Sequence, residues 1–459
     1  MIRILHHHLR RGGVTQVMLS TARILRDAGE DVEIWSGESG SLPMPEGVDE
    51  KVLPELVYRE SYSEPDCDAL TRKMIRAHAD GDIWHIHNHS LGKNPVVTET
   101  VRRLAEAGLP LILQIHDFAE DGRPVNLKCL REELPDQTRC LYPTGAHVVY
   151  AVLQERDREV LISAGVPEDQ VAVLPNPISI EMALRPPQPV PERVLYLTRA
   201  IRRKNVGEFL YWAKMFAGDL EFATSLVPEN PKEKVIFDRW VAFAQSEGIP
   251  VQWGLGMSGK SFEEVVSECD VCITTSVGEG FGMSYLEPYA MQRPVVGRDL
   301  PAITAGFKKD GVRLDHLYST LPVCAEDVDE EFWPRALDAV NCWRQNMGLS
   351  QNSSEENLKA AWVEDGKVDF GRLDETAQRQ ILSRISPGEM SVSSFLHSSA
   401  ADVEENSATV SRVYNESASL SRLQDLYGKI QDVSVCEYAD ADRVRDAFTD
   451  LKNLSLLRI

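Results

Sequence analysis

The sequence has no long apolar run and few basic residues for its size. None of its hydrophobic stretches approaches the roughly 20 residues that a membrane-spanning helix needs. Lysine and arginine total 49 against 71 aspartates and glutamates, so the net charge is −22. A chain this acidic repels nucleic acid and anionic lipid unless its cations cluster locally. We therefore expect no nucleic acid partner and no transmembrane segment, while peripheral membrane contact and the oligomeric state stay open.

Cysteine is also sparse. The eight cysteines are scattered over 459 residues, which excludes the dense pattern of a small secreted disulfide scaffold. Cys269 and Cys272 form one C-x-x-C, and no second copy exists to complete a four-thiolate zinc site, so we interpret them as small apolar residues of a buried strand. The N-terminus has no uninterrupted apolar core like that of a signal peptide. These absences predict a cytoplasmic protein.

The first part of the chain alternates short apolar strands with amphipathic helices, which predicts a parallel sheet covered on both faces. Residues 15–28 form the clearest of these helices, which Gly29 ends. The proline-rich segment Arg185–Pro191 then predicts a semi-rigid linker. The predicted strands are Arg3–Leu9, Val32–Trp35, Asp82–His89, Leu111–Asp117, His147–Val152 and Val171–Leu174.

The same alternation resumes after the linker and gives way to helical periodicity near residue 330. We therefore predict an N-terminal Rossmann-like domain over 1–187, a C-terminal one over 188–330, and a helical extension over 331–459 whose end is a candidate to pack back on the first domain. The predicted strands are Val194–Leu197, Glu221–Leu226, Val251–Trp253, Val271–Thr275 and Pro294–Val296. The predicted helices are Glu330–Met347, Leu373–Ile385 and Arg443–Leu457, with weak helical character over 388–423.

The strongest chemical signal is the ten-residue segment GEGFGMSYLE, from Gly278 to Glu287. It follows a predicted strand and opens a helix, whose free N–H groups and partial positive charge favour a phosphate. Glu279 in the turn can hold sugar hydroxyls, and Glu287 on the helix can accept hydrogen bonds from a ribose diol. An ordinary strand–turn–helix with two solvated acids is the alternative that stays open here.

A second signal is the basic segment Arg199-Ala-Ile-Arg-Arg-Lys204, which directly follows the first strand after the linker. The guanidinium of Arg199 and the point charge of Lys204 suit a diphosphate. A solvated basic loop is the alternative interpretation.

These segments bring out a family resemblance. The stretch Thr275–Val296 resembles the E-x7-E signature of retaining glycosyltransferases with the two-domain GT-B fold, and most of all their large family 4, which is related to glycogen and sucrose synthases. Other pieces follow in the family's order. They are Gly12-Gly13, the D-x-x-H-x-H of Asp82–His87, His116-Asp117, Pro175-Asn176-Pro177, and the pair Arg199 and Lys204.

The resemblance implies an α/β protein with two Rossmann-like domains facing across a cleft, the first for the acceptor and the second for the donor. It implies transfer of a hexose, with retention, from a nucleoside-diphosphate sugar to a hydroxyl acceptor. The acidic surface favours a small soluble sugar or sugar acid as acceptor. No metal and no resident cofactor are expected, because the family generally works without them.

The resemblance also assigns roles by position. Arg199 and Lys204 would clamp the pyrophosphate, and Glu287 would hold the ribose. Glu279 would contact the transferred sugar, and His116 would lie at the reaction centre. The remaining donor-binding positions, which act mainly through their backbone, are Gly13 in a glycine loop and Gly280, Phe281, Gly282, Met283 and Ser284.

Three alternatives remain open. Gly254–Ser261 matches the P-loop pattern G-x4-G-K-[ST], although its preceding strand is short and begins with proline. His85, His87 and His89 share one face of a predicted strand and could bind zinc or iron. A non-catalytic nucleotide-sugar-binding subunit could have the same fold, although both site acids and both site cations are present.

A charged acceptor has its own candidate contacts. Arg10 and Arg11 follow the first predicted strand, close to the glycine loop, and could meet an anionic acceptor.

Overall fold

The computed structural model describes residues 1–134, 136, 141–178, 191–351, 353–386, 392, 395, 400–431 and 435–459. The chain divides into two compact units. Unit 1 comprises Met1–Pro177, Trp343–Ser350 and Tyr414–Asp450. Unit 2 comprises Ile178–Cys342, Gln351–Val413 and Leu451–Ile459. The predicted linker Arg185–Pro191 lies outside the described residues except for Pro191.

Unit 1 is built on a seven-stranded sheet in the order β3-β2-β1-β4-β5-β7-β8, in which every neighbouring pair is parallel. Its strands, with the short β6, are β1 Ile2–His6, β2 Val32–Ser36, β3 Asp49–Val52, β4 Ile83–His87, β5 Leu111–Ile115, β6 Pro143–Thr144, β7 Val148–Val152 and β8 Val171–Val173. All six strands predicted here are present with shifted ends. The unpredicted β3 is an exposed edge strand whose residues Asp-Glu-Lys-Val carry no apolar alternation.

Five helices of unit 1 are α1 Gly13–Asp27, α2 Glu64–Ala77, α3 Pro95–Glu106, α4 Pro124–Glu133 and α5 Glu155–Ser163. Helix α1 covers the central strand β1, because Met18, Ala22 and Leu25 join Ile2 and Ile4 in one buried cluster. That packing fixes the start of α1 beside the end of β1. The loops that follow β1, β4 and β5 leave the same edge of the sheet, since these three strands are parallel neighbours.

Unit 2 repeats the design with five parallel strands in the order β11-β10-β9-β12-β13. They are β9 Arg193–Arg199, β10 Glu221–Leu226, β11 Val251–Gln252, β12 Val271–Thr274 and β13 Val295–Gly297. The helices between and after them are α6 Val206–Met215, α7 Pro231–Ser246, α8 Phe262–Ser267, α9 Met283–Ala290 and α10 Pro301–Lys309. Cys269 and Cys272 are buried and unbridged, which confirms their interpretation as small core residues.

The last third of the chain contributes to both units. Its helices are α11 Phe332–Asn346, α12 Glu355–Trp362, α13 Glu375–Arg384, α14 Ala400–Val413, α15 Glu416–Tyr427 and α16 Ala441–Ala447. Within the predicted weakly helical stretch 388–423, residues 388–391, 393, 394 and 396–399 lie outside the described part. The remainder holds α14 and the first two thirds of α15.

Helical periodicity did not predict the short strands of this region. β14 Pro322–Cys324, β15 Val363–Glu364 and β16 Lys367–Asp369 form a small antiparallel sheet in the order β14-β16-β15. β17 Glu437–Tyr438 pairs with β6 of unit 1.

The helix predicted over Arg443–Leu457 is wrong in extent. Helix α16 ends at Ala447, and short 3-10 turns follow at Leu451–Asn453 and Leu456–Arg458. Tertiary contacts override the periodicity there, because the Ser455 hydroxyl donates to the Gly371 carbonyl at 2.6 Å and accepts from the Leu457 N–H. None of the helices in the described ranges is long and apolar enough to cross a membrane.

Candidate functional site

In unit 2, two loops that leave neighbouring strands are bonded to each other. The basic loop after β9 and the turn after β12 emerge side by side, because these strands pair in parallel. Both the Tyr196 hydroxyl and the Thr275 hydroxyl donate to the Lys204 carbonyl, at 2.8 and 3.0 Å. The Val277 N–H donates to the Arg203 carbonyl at 3.0 Å. Residues that lie about 75 positions apart in sequence are thereby held at one place.

The centre of this arrangement is an ion pair between Lys204 and Glu279. Only 12% of the Lys204 side chain and 8% of the Glu279 side chain are exposed. The Arg203 guanidinium donates to the Gly278 carbonyl at 2.7 Å and lies 3.7 Å from the Glu279 carboxylate. The pair is therefore a largely buried, charge-dense site at the carboxyl ends of two strands.

Burial and the neighbouring charges act oppositely on these two groups. Burial lowers the pKa of Lys204, although the Glu279 carboxylate opposes the shift. Burial alone would raise the pKa of Glu279, but Lys204 and Arg203 outweigh it and the net pKa is lowered. We conclude that Glu279 is ionised at neutral pH and that Lys204 depends on it for its charge.

The other two cations of the basic loop have different partners. Arg199 ends β9, is one-third exposed, and lies 3.3 Å from the Glu229 carboxylate, itself 73% exposed. Arg202 donates to Glu375 at 2.6 Å and to the Ile459 carbonyl at 2.5 Å. Arg202 is thus held by structural contacts, whereas Arg199 stays near solvent.

The turn after β12 ends in the N-terminus of α9. Gly282 adopts a φ of 93°, and within the described chain no side chain caps the helix. The Phe281 ring packs against Phe307 with ring centroids 5.3 Å apart, so only its backbone can meet a ligand. Met283 and Ser284 form the first turn, and the Ser284 hydroxyl is buried without a hydrogen-bond partner among the described residues. An uncapped helix start of this kind is suited to an anion.

Glu287 lies one turn further along α9 and is half-buried. Burial raises its pKa to about 7, and the charge of Lys204 opposes that shift. Its carboxyl group therefore titrates near neutral pH.

In unit 1, histidines line the ends of β1, β4 and β5. His87 Nδ1 lies 2.8 Å from His116 Nε2, and the His85 ring stacks on His87 with centroids 4.7 Å apart. Burial lowers the pKa of His116 to about 4, although Asp117 opposes the shift, and it lowers the pKa of His85 to about 4 as well. Both imidazoles are neutral at pH 7.

The loop that carries His116 is fixed from β4. Asn88 adopts a φ of 56°, and its side-chain oxygen accepts from the backbone N–H groups of His116 and Asp117 at 2.8 and 3.3 Å. Asparagine tolerates this left-handed conformation better than most residues. Sequence reasoning did not single out Asn88, although its place directly after a buried strand was a usable signal.

The structure also shows the surroundings of the predicted glycine loop and of the histidines that were candidates for a metal site. Gly13 is the first residue of α1, and a side chain there would meet nothing within 4 Å. His85 Nε2 and Nδ1 lie 2.9 Å from Gln114 Oε1 and the Tyr427 hydroxyl. In the part of the chain that the structure describes, no group of three or more histidines, cysteines or acids is arranged to hold a metal ion.

The residues that match the P-loop pattern, Gly254–Ser261, make local contacts within the protein. Lys260 is 39% exposed and pairs with Glu268. The Ser261 side chain caps α8 by accepting from the Glu264 N–H at 3.2 Å. The strand before the loop, β11, has two residues and lies at the edge of the sheet.

A buried ionic network in unit 2 was also missed. The Arg298 guanidinium donates to Glu208 at 2.9 Å and to Asp369 at 2.8 Å, and all three side chains are largely buried. It joins the end of β13 to α6 and to β16. Its position, a cation immediately after the apolar strand Val-Val-Gly, was the only available sequence signal.

Comparison with known proteins finds glycosyltransferases that this chain resembles. Residues 11–182 match the model of Glycosyltransferase Family 4. The mannosylglucosyl-3-phosphoglycerate synthase of Petrotoga mobilis is 28% identical over 338 residues, which cover 65% of this chain and 65% of that protein. The MMP alpha-(1->4)-mannosyltransferase of Mycolicibacterium hassiacum is 22% identical over 347 residues, or 65% of this chain and 80% of that one. The chain thus spans just under two thirds of the first relative's length.

Several solved structures match nearly the whole chain, among them HepE and a sucrose-phosphate synthase. HepE of Anabaena in complex with UDP and glucose superposes with a TM-score of 0.53 at 12% identity, covering 92% of this chain and 98% of that one. The sucrose-phosphate synthase of Thermosynechococcus elongatus gives 0.53 at 14%, covering 93% and 98%. The chain therefore has the GT-B fold with two Rossmann-like domains. The resemblance to GT-B glycosyltransferases of family 4, first indicated by the order of the motifs, is confirmed.

Proposed function

We propose that this protein transfers a hexose from a nucleoside-diphosphate sugar to a hydroxyl group of an acceptor. The observation that carries the proposal is the buried Lys204–Glu279 pair, which lies beside the uncapped start of α9. The named relatives are a synthase and a mannosyltransferase, and HepE was solved with UDP and glucose. These names support a sugar donor of the same class for this chain.

The donor's diphosphate would occupy the start of α9. Lys204 and Arg199 supply positive charge, and the backbone N–H groups of Gly280 through Ser284 supply donors. Glu279 lowers the cost of keeping Lys204 charged under burial, and it has acceptor oxygens for the hydroxyls of the transferred sugar. The Ser284 hydroxyl, buried and without a partner among the described residues, has hydrogen-bonding capacity to spare.

Glu287 would accept hydrogen bonds from the nucleotide ribose, one helical turn from the diphosphate. In unit 1, the neutral imidazole of His116 would contact the sugar at the reaction centre, and the Gly13 loop would cover the donor. A neutral imidazole can exchange hydrogen bonds with sugar hydroxyls and has no charge that would attract a phosphate.

The chemical step needs a stabilised leaving group. The bond between the anomeric carbon and the diphosphate oxygen breaks, and a bond from that carbon to the acceptor oxygen forms. Lys204, Arg199 and the α9 N-terminus face the negative charge that develops on the diphosphate. We propose that the acceptor's proton passes to the departing phosphate on the same face of the sugar, that the anomeric configuration is retained, and that these cations replace a metal.

Thermal unfolding of the full chain with a nucleotide panel tests the proposal. The panel contains UDP, GDP, ADP, magnesium ATP and the matching nucleotide sugars. A ligand bound at about 100 times its Kd adds about 2.7 kcal/mol to the free energy of unfolding. We expect one nucleoside diphosphate and its sugar to stabilise the protein without magnesium, and turnover to survive EDTA. Loss of activity with EDTA would contradict metal independence.

Variants localise the site. Lys204→Ala and the milder Lys204→Gln should abolish the thermal stabilisation by nucleotide and lower turnover at least about tenfold. The reason is that each removes the main positive charge proposed to face the diphosphate. Lys234→Ala removes an exposed lysine that pairs with Asp238 on α7, and should change neither quantity. Full activity of Lys204→Gln would contradict the proposed binding of the diphosphate by Lys204. Stabilisation by magnesium ATP alone, lost in Lys260→Ala, would favour the P-loop alternative instead.

A further inference from the structure

Helix α13, from the last third of the chain, contacts the basic loop on both sides of Lys204. The Glu375 carboxylate accepts from the Arg202 side chain, two residues before Lys204. The Gln378 amide donates to the side-chain oxygen of Asn205, the residue directly after Lys204, at 2.9 Å. Glu375 and Gln378 are three residues apart and therefore lie on one face of α13. One helix thus holds the loop at two points, all within unit 2.

Asn205 has a backbone conformation that needs support. Its φ is 53°, in the left-handed region that residues with a side chain rarely adopt. It separates the short 3-10 turn Arg202–Lys204 from the start of α6. The direction in which the chain leaves Lys204 therefore depends on this one residue.

Hydrogen bonds from two directions hold the Asn205 side chain. Its amide donates to the Glu208 carboxylate at 2.7 Å, and its oxygen accepts from the Glu208 N–H at 3.4 Å. These two bonds are local and belong to the start of α6. The bond from Gln378 comes instead from a residue 173 positions further along the sequence. The last third of the chain therefore helps to fix the conformation of the basic loop.

Gln378 is fully buried and closely fitted beside this loop. Its amide nitrogen also donates to the Phe370 carbonyl at 2.9 Å, which fixes the direction of the amide. A Cβ at Gly207, in the first turn of α6, would lie 2.2 Å from Gln378 Oε1. The lack of a side chain at Gly207 thus makes room for Gln378 next to Asn205.

We propose that Gln378 is a positioning residue for Lys204. It keeps Asn205 in the left-handed conformation, and this conformation places the Lys204 ammonium beside Glu279, where the donor's diphosphate would bind. The inference rests on the proposed transferase function, and it gives a helix of the last third of the chain a part in the donor site. A misplacement of about 1 Å in a reacting arrangement can lower a rate about a hundredfold, so Gln378 can act without touching the donor.

Gln378→Met tests the inference, because methionine is of similar size but has no N–H donor. The full chain is titrated calorimetrically with UDP, GDP and ADP. The nucleotide that the parent binds should bind at least about fivefold more weakly, since a hydrogen bond that holds the loop is lost. Gln380→Met is the matched control, because Gln380 lies on the same helix and donates to Asp329 at 3.0 Å rather than to the basic loop. Its nucleotide affinity should equal that of the parent.

Lysine acetylation followed by mass spectrometry tests the same inference without any nucleotide. Lys204 is protected in the parent by burial and by its pairing with Glu279. Gln378→Met should raise the labelling rate of Lys204 at least about threefold, because the loop opens more often when a bond that closes it is lost. Gln380→Met should leave that rate unchanged.

Lys214 of α6 reports whether α13 has merely loosened. It is 13% exposed, against 12% for Lys204, and it donates to the Leu382 carbonyl of α13 at 2.8 Å. Its labelling should stay at the parent rate in Gln378→Met. An equal rise at both lysines would show that Gln378 has a structural role alone, and would overturn the inference.

Asn205→Gly tests the path of the effect. Glycine adopts a φ of 53° without support. In an Asn205→Gly background, Gln378→Met should therefore change nucleotide affinity and Lys204 labelling by less than about twofold. An undiminished effect would show that Gln378 does not act through Asn205. Gln378→Asn, which keeps the amide but shortens its reach, serves in every measurement if Gln378→Met does not fold.

The positioning role and the transferase proposal fail in different ways. If the parent bound a nucleotide and Gln378→Met matched Gln380→Met in affinity or in Lys204 labelling, the positioning role would be overturned and the transferase proposal would stand. If the parent bound no nucleotide while Gln378→Met raised the labelling of Lys204 but not of Lys214, the transferase proposal would fail. The placement of Lys204 by Gln378 would then remain.

Discussion

At the scale of single residues, the ionisation of Glu287 makes the stability of the protein depend on pH. Its pKa is raised to about 7 by burial, well above the ordinary value of a glutamate. The folded state therefore holds this proton more tightly than the unfolded state. The stabilisation is complete below the ordinary pKa of about 4.5 and is lost as pH rises through about 7.

Glu287→Gln should separate the effect of this group on stability from its proposed role in nucleotide binding. Near pH 8 the variant should unfold at a higher temperature than the parent, because its free energy of unfolding should be larger by at most about 3 kcal/mol. This difference in free energy should vanish near pH 5. Its affinity for the nucleoside diphosphate should fall, because a neutral amide accepts hydrogen bonds from the ribose less strongly than a carboxylate. Thermal unfolding and calorimetry across this pH range measure both quantities. Unchanged nucleotide affinity would remove Glu287 from the ribose site.

At the scale of elements, the turn from β12 into α9 depends on one glycine. Gly282 has a φ of 93°, and a Cβ there would lie 2.7 Å from Ile303 Cγ2. Gly282→Ala therefore combines left-handed strain with overpacking, and should cost about 2–4 kcal/mol of unfolding free energy and weaken nucleotide binding.

Gly259 supplies the control for that variant. Its φ is 82°, but an added Cβ would meet nothing within 4 Å. Gly259→Ala should cost about 1 kcal/mol, from backbone strain alone. Urea unfolding of both variants measures the difference, and equal losses would show that crowding against Ile303 is unimportant.

The elements also show what the sequence could predict. Strands such as β5 and β7 are mostly apolar runs, because helices cover both faces of the sheet. Their existence was therefore predictable from the sequence, and only their ends shifted. The edge strand β3 and the two- or three-residue strands β14 to β16 carry no such run. Their pairing depends on distant partners, which local periodicity does not contain.

The residues of the candidate site also differ in how far the sequence could predict them. Glu279, Glu287, Arg199 and Lys204 were predictable because each group lies within one short segment. Asn88 was not predictable in this way, because its role depends on hydrogen bonds to the backbone of another loop.

At the scale of the whole molecule, the core of unit 1 requires residues from the last tenth of the sequence. Leu423 and Leu426 of α15 are almost completely buried in the same cluster as Ile4 and Ile34. Tyr427 bonds to His85, and Glu416 pairs with Arg23 of α1. These contacts make α15 a part of unit 1 rather than an addition to it.

Leu423→Ala should therefore destabilise unit 1 by about 2–5 kcal/mol. Leu420→Ala, on the same helix and only partly buried, should cost less. Amide hydrogen exchange resolves the two units, because protection of β1 should fall while that of β9 stays at the parent level. An equal loss in β9 would show that the two units unfold together.

The path of the chain has a consequence for biosynthesis. The sequence passes between the two units five times, at 177/178, 342/343, 350/351, 413/414 and 450/451. A nascent chain that has emerged as far as Pro177 contains every strand of the large sheet but lacks Leu423 and Leu426, which close its core. Until translation has passed α15, this sheet exposes an apolar surface to solvent or to a chaperone. Its folding is therefore completed late, although its strands are made first.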